Sequence, residues 1–137
     1  TRALSLPMTT SSLRLLIADD SSEMRSLVRE AIGHAFSDVV EARDGRDLMW
    51  LLLRSELTHG GDQLIVTDLC MPYYDGLDVL EAWRELYPDH PTILITAFPS
   101  ADVRERAAKL KVTMLPKPFS TTSLRRAIRE ATDGRAG

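Results

Sequence analysis

The stretch Leu64-Ile65-Val66-Thr67-Asp68-Leu69-Cys70-Met71-Pro72-Tyr73-Tyr74-Asp75-Gly76 decides the fold. An apolar run ends on a carboxylate, a loop with proline and glycine follows, and Val79, Leu80, Trp83, Leu86 and Tyr87 then recur at helical spacing until Pro88. Leu64 to Thr67 is short for a helix, and its flanks favour a buried strand. The unit is strand, loop, helix.

The same unit repeats on both sides. Leu13 to Ala18, Val39 to Ala42, Thr92 to Thr96 and Val112 to Leu115 are the other strand candidates. Met24, Leu27, Val28, Ala31 and Ala35 share one helix face, with Asp20 as the expected cap and Glu23 as a first-turn acid. Leu48, Leu51, Leu52 and Ser55 form the next stripe, stopped by Gly60 and Gly61. Val103, Ala107 and Leu110 make a shorter one, and Leu124, Ala127, Ile128 and Ala131 run to a stop at Asp133–Gly134. Five strands alternating with five helices predict an α/β fold, a parallel sheet covered on both faces with right-handed crossovers. In such sheets ligands bind beyond the carboxyl ends of the strands.

Length and composition agree with that reading. The chain has 137 residues, enough for one domain, and at 44% hydrophobic and 27% charged it matches an ordinary globular protein. Residues 13–133 are expected to form the domain, 1–12 a flexible lead-in with Met8 as a candidate start, and 134–137 a tail. The lone Cys70 has no partner for an internal disulfide, which suits a reducing, cytoplasmic setting and an inert thiol. No run is long enough for a membrane span; the longest, Leu48 to Leu53, reads as a buried helix face. A net charge of −3 predicts no nucleic-acid binding by this domain alone, and Arg125, Arg126 and Arg129 read as a solvated helix face. Trp50 and Trp83 are expected to pack inside.

Chemistry-bearing side chains follow four of the runs: Asp19–Asp20, Asp68, Thr96–Ala97 and Lys117–Pro118. Strand ends bring these groups to one edge of the sheet. Three crowded carboxylates repel one another, and a hard, oxygen-loving divalent cation such as Mg²⁺, or Mn²⁺, relieves the repulsion. Lys117, one of only three lysines, adds a positive charge, and the Thr96 hydroxyl can bond a phosphoryl oxygen. This set suits phosphoryl transfer, where positioning and charge neutralisation dominate.

Those residues resemble the receiver domain of two-component response regulators. Ile17-Ala18-Asp19-Asp20-Ser21 is similar to the family's opening acidic pair, and Asp68-Leu69-Cys70-Met71-Pro72 through Gly76 to its phosphoacceptor loop. Ile95-Thr96-Ala97 resembles the switch threonine with its small neighbour, and Lys117-Pro118-Phe119 the signature lysine with a proline whose bond is usually cis. The resemblance implies a doubly wound three-layer α/β/α sandwich with strand order 2-1-3-4-5. It implies that Asp68 accepts a phosphoryl group from a sensor histidine kinase or a histidine phosphotransfer protein. Asp20, Asp68 and the Cys70 carbonyl would hold Mg²⁺, with Asp19 acting through a bound water. Lys117, Thr96 and Ala97 would receive the phosphoryl group, and Cys70 and Phe98 would flank the path of a hydrolytic water. A downstream effector or output domain would read the change, and a homodimer through the fourth helix, last strand and last helix is compatible with the family. Met114 departs from the pattern, standing where the family usually has a switch aromatic.

Other classes fit less well. Phosphohydrolases that work through an aspartyl phosphate resemble a pattern with a second Asp two residues after the nucleophile, where this chain has Cys70. A flavin-binding relative would need a Gly-, Ser- or Thr-rich phosphate loop where Asp19 and Asp20 stand. A phosphate-independent binding module, suggested by Met114 alone, sits poorly with a complete acidic set.

Overall fold

The computed structural model describes residues 6, 10, 12–58 and 62–133. The elements run β1 (Arg14–Ala18), α1 (Ser22–Ile32), a 3-10 turn (Gly33–Ala35), β2 (Asp38–Ala42), α2 (Gly45–Thr58), β3 (Gln63–Asp68), α3 (Gly76–Leu86), β4 (Thr92–Thr96), α4 (Ala101–Leu110), β5 (Thr113–Pro116) and α5 (Thr121–Asp133). All strand pairs are parallel, and the order is β2-β1-β3-β4-β5, the order that the resemblance implied.

Burial of both sheet faces explains the strands. Leu15, Ile17, Leu64, Val66, Ile93 and Ile95 pack on one side with Val28 and Ile32 of α1 and Leu124, Ala127 and Ile128 of α5. Leu16, Ala18 and Ile65 face the other way, onto Leu48 and Leu52 of α2 and Val79, Leu80 and Trp83 of α3. Leu94 meets Leu77 of α3 and Val103 and Ala107 of α4. Alternate residues of each strand therefore feed different layers, as the pleat requires. The central strand β3 is buried throughout.

Several local expectations change. Ser21, not Asp20, caps α1, its side chain accepting from the Met24 amide at 3.2 Å. The α1 stripe is centred on Val28 and Ile32; Leu27 is half-exposed and Ala35 belongs to the 3-10 turn. Leu86, in the last turn of α3, is 80% exposed, while Leu77 at its start is buried. Trp83 packs as expected, stacked on Tyr87 with its indole N–H donating to the Pro88 carbonyl at 3.0 Å. Trp50 does not: it is 59% exposed, because Leu48 and Leu52 take the inward side of α2. The run Leu48 to Leu53 is thus a helix buried on one side only.

Gly60, Gly61, Gly134 and Met8 lie outside the described residues, as do most of 1–12 and all of 134–137. Of the expected lead-in, Leu6 packs against the α1/α5 layer and Thr10 is buried. Among the described residues, no helix is long and apolar enough to cross a membrane.

Candidate functional site

The strand ends are in register, and that brings the site together. Ala18 pairs with Thr67, Asp68 with Ile95 and Thr96 with Pro116. Backbone bonds continue past each strand: the Asp19 amide donates to Ala42 at 3.1 Å, that of Leu69 to Ile95 at 2.9 Å, and that of Lys117 to Thr96 at 2.9 Å. The functional side chains are therefore carried on backbone still held by the sheet, which sets their direction more closely than a loop would.

Asp19, Asp20 and Asp68 each place a carboxylate oxygen within 4.8 Å of the others. Asp19 and Asp68 are buried and Asp20 is exposed. The Ser21 amide donates to Asp19 Oδ1 at 2.9 Å, and Arg25 Nη1 donates to the Asp19 carbonyl at 2.7 Å while its Nε pairs with Glu41. Burial pushes the Asp19 carboxyl up to about 6, with the charges of Asp68 and Asp20 adding to the effect against the Ser21 bond. Its Oδ2 is buried without a hydrogen-bond partner. A buried carboxylate oxygen left in that state is costly, and a cation beside it meets the need. Three clustered carboxylates and one orphaned oxygen fit a hard divalent ion. Receiver domains bind Mg²⁺ at an acidic pocket of this kind.

Lys117 Nζ lies 3.0 Å from Asp68 Oδ1. Burial raises the Asp68 pKa, with the Lys117 bond and charge working the other way. Burial also acts to lower Lys117, but the bond and charge of Asp68, with Asp19 and Asp20, outweigh it and hold its ammonium above the ordinary lysine value. Asp68, Leu69, Cys70, Thr96, Ala97, Phe98 and Lys117 line a pocket of about 120 Å³. Thr96 is buried and its Oγ1 accepts from the Phe98 amide at 3.3 Å. Cys70 is an exposed free thiol, and the Phe98 ring stands open at the rim. The Lys117–Pro118 bond is cis. Met114 packs partly buried against the group of Leu69, Leu77, Leu94, Val103 and Ala107.

The geometry unites Asp19, Asp20, Asp68, Thr96 and Lys117, gives Gly76 and Ser21 of the quoted motifs a physical role, and adds Gly45 and Arg25, which the sequence reading missed. Gly76 presses on the strand that ends in Asp68: a Cβ there would stand 2.6 Å from the Asp68 carbonyl oxygen. Gly45 opens α2 against the loop after Asp68, where a Cβ would lie 2.1 Å from the Tyr74 carbonyl oxygen. Ser21 and Arg25 support Asp19. Ser21 had a signal, a hydroxyl just before an amphipathic run; Arg25 had none, because its contact crosses from α1 to β2.

Fold and site together define a class: doubly wound α/β proteins whose switch edge carries an acidic pocket faced by a lysine. The chain belongs to the response regulator receiver domain family, which it matches over residues 15–129. It is 32% identical over 115 residues to the response regulator MprA of Mycolicibacterium vanbaalenii, covering 82% of this chain and 47% of that protein. It is 30% identical over 119 residues to the response regulator protein PilR of Pseudomonas aeruginosa, covering 86% and 26%. The chain thus spans less than half the length of these curated relatives. Among solved structures, the N-terminal domain of an uncharacterized protein from Wolinella succinogenes is similar at TM-score 0.76 and 28% identity, over 91% of this chain and 98% of that one. The Vibrio cholerae chemotaxis protein CheY4 shares the fold at TM-score 0.72 and 22% identity, over 88% and 98%. The chain is a receiver domain of two-component signalling, as its motifs led one to expect.

Proposed function

We propose that Asp68 is the phosphoacceptor of this receiver domain and that a histidine kinase or histidine phosphotransfer protein supplies the phosphoryl group. One observation carries the reading: a nearly buried carboxylate, bonded on one oxygen by the Lys117 ammonium, sits among two further carboxylates at the mouth of a small pocket. The Asp68 carboxylate attacks phosphorus, the P–N bond to the donor imidazole breaks, and an acyl phosphate remains. Lys117 gives up its bond to the carboxylate for one to the phosphoryl group. Thr96 exchanges its Phe98 amide contact for a phosphoryl oxygen. Asp20, Asp68 and the Cys70 carbonyl would hold Mg²⁺, or Mn²⁺, with Asp19 in support beside them, and the ion would supply charge neutralisation at the transferring group. Cys70 and Phe98 at the rim limit the approach of water, so that self-dephosphorylation is slow.

The output surface is the face of α4, β5 and α5, which a downstream effector or an output domain reads. Met114 sits in the α3/α4 layer, so the shift at Thr96 reaches α4 through packing rather than through rotation of a ring. Phosphorylation biases an equilibrium between two packings that already exist.

The test is direct. An acyl phosphate donor with Mg²⁺ should add the mass of one phosphoryl group to the wild-type chain and nothing to Asp68→Asn, and beryllofluoride with Mg²⁺ should perturb Asp68 in the wild type. Failure of both reagents on a folded wild-type chain would leave a phosphate-independent binding module as the better reading. Sustained phosphate release from small phosphorylated molecules would instead indicate a hydrolase.

A further inference from the structure

α2 is apolar on two sides. Leu48 and Leu52 face the sheet, yet Trp50 is 59% and Leu57 84% exposed, with Leu53 half-buried between them. Arg46, Trp50, Leu53 and Leu57 follow one another at spacings of four, three and four, so they form one stripe, exposed at Arg46, Trp50 and Leu57, with Leu53 at its edge packed in part against the α2/α3 layer. Leu27 and Leu86 are lone exposed leucines on their helices and need no explanation. An exposed apolar stripe at this spacing suits a helix–helix contact. The stripe is also anchored. Arg46 stacks over the Tyr73 ring, its guanidinium carbon 3.5 Å from the centroid, and Gly45 fits closely under the Tyr74 backbone.

The charges beside the seam identify the occupant. Asp47 and Arg54 are seven residues apart and lie on the same flank of the stripe. A two-fold axis across the seam reverses the helix direction but keeps each flank on its own side. When Trp50 meets Leu53 of the second copy, Asp47 comes level, within about one turn, with Arg54 of that copy, and the reciprocal pair forms at the other end. Two opposite charges so placed favour antiparallel self-pairing; in a parallel pair, whose two-fold runs along the seam, the two flanks lie on opposite sides and Asp47 does not meet Arg54.

We infer that the outer face of α2 is a self-association surface, on which two copies of this chain pair antiparallel through Trp50, Leu53 and Leu57 with reciprocal Asp47–Arg54 contacts. This face is separate from α4, β5 and α5, and it does not depend on phosphorylation of Asp68. Fourteen residues of helix span about 21 Å, a short seam, so the dimer is weak and concentration-dependent.

Sedimentation velocity of the 137-residue chain across a wide concentration range tests it, with Trp50 emission as a second readout because Trp83 is already buried. Dimer should form as concentration rises, with a blue shift of the emission. Combined Trp50→Ala and Leu57→Ala changes, both on solvent-facing positions, should weaken association by about tenfold or more. Arg54→Glu should weaken it as well. Asp47 is left unchanged, because its carboxylate also accepts from the Arg43 amide at 3.0 Å at the start of α2. Circular dichroism confirms that each variant is folded. A wild-type chain that stays monomeric up to millimolar concentration overturns the inference. So does a dimer that the Trp50/Leu57 variant keeps, which would point to α4, β5 and α5 instead.

Discussion

At Asp19, burial and function oppose each other. The carboxyl is 3% exposed, and its pKa stands at about 6 against an ordinary 3.8, chiefly through burial. A folded value above the unfolded one means that Asp19 contributes stability in full below pH 3.8, and that this contribution is lost as pH rises through 6. Near pH 7 the metal-free domain therefore carries a destabilising charge. Asp19→Asn keeps an acceptor for the Ser21 amide and removes that charge. In the presence of a chelator it should stabilise the protein at pH 7 by roughly 1–2 kcal/mol, and by little at pH 4. Urea unfolding midpoints at the two pH values check this; an equal gain at both would show that ionisation of Asp19 is not the cause.

At the scale of elements, the loop between β3 and α3 is held by close backbone approach. The Gly76 amide donates to the Leu69 carbonyl at 2.8 Å, and Asp75 and Asp78 cap α3 reciprocally. A methyl group at position 76 would meet the Asp68 carbonyl oxygen at 2.6 Å and Thr67 Oγ1 at 3.2 Å. Backbone cannot yield as a side-chain tip does, so Gly76→Ala should cost about 1–3 kcal/mol and should slow phosphorylation by moving the strand end that carries Asp68. Thermal unfolding and the rate of labelling by an acyl phosphate report the two effects separately. The motif showed that a glycine belongs at this position, but its neighbour in space was not legible. The same holds for Gly45, which lies far from Tyr74 in sequence. By contrast, the strand ends bearing Asp19, Asp68, Thr96 and Lys117 were legible, because apolar runs stop where the chemistry begins.

For the whole molecule, the ion proposed for the acidic pocket would link metal binding to folding. An ion that binds the folded state alone stabilises it by about 2.7 kcal/mol at a hundred times its dissociation constant. Mg²⁺ should therefore raise the thermal midpoint of this chain in a saturable way. Asp20→Ala should abolish most of that rise without unfolding the protein, since Asp20 is exposed and Ser21, not Asp20, caps α1. A midpoint that ignores Mg²⁺ in the wild type would remove the cation from the proposed chemistry.

The sequence by itself determined the alternation of strands and helices, the edge where chemistry gathers and the residue types that gather there. These follow from periodicity and from the fact that parallel strands align their carboxyl ends. Tertiary structure alone decided the rest: that Asp19 Oδ2 is left without a partner, that Gly76 and Gly45 admit no methyl group, and that Trp50 points outward while Trp83 points inward. The reason is physical. Which side of an apolar helix is buried, and which backbone atoms come within 3 Å of each other, depend on how layers pack, and that distance is set between residues far apart in the chain.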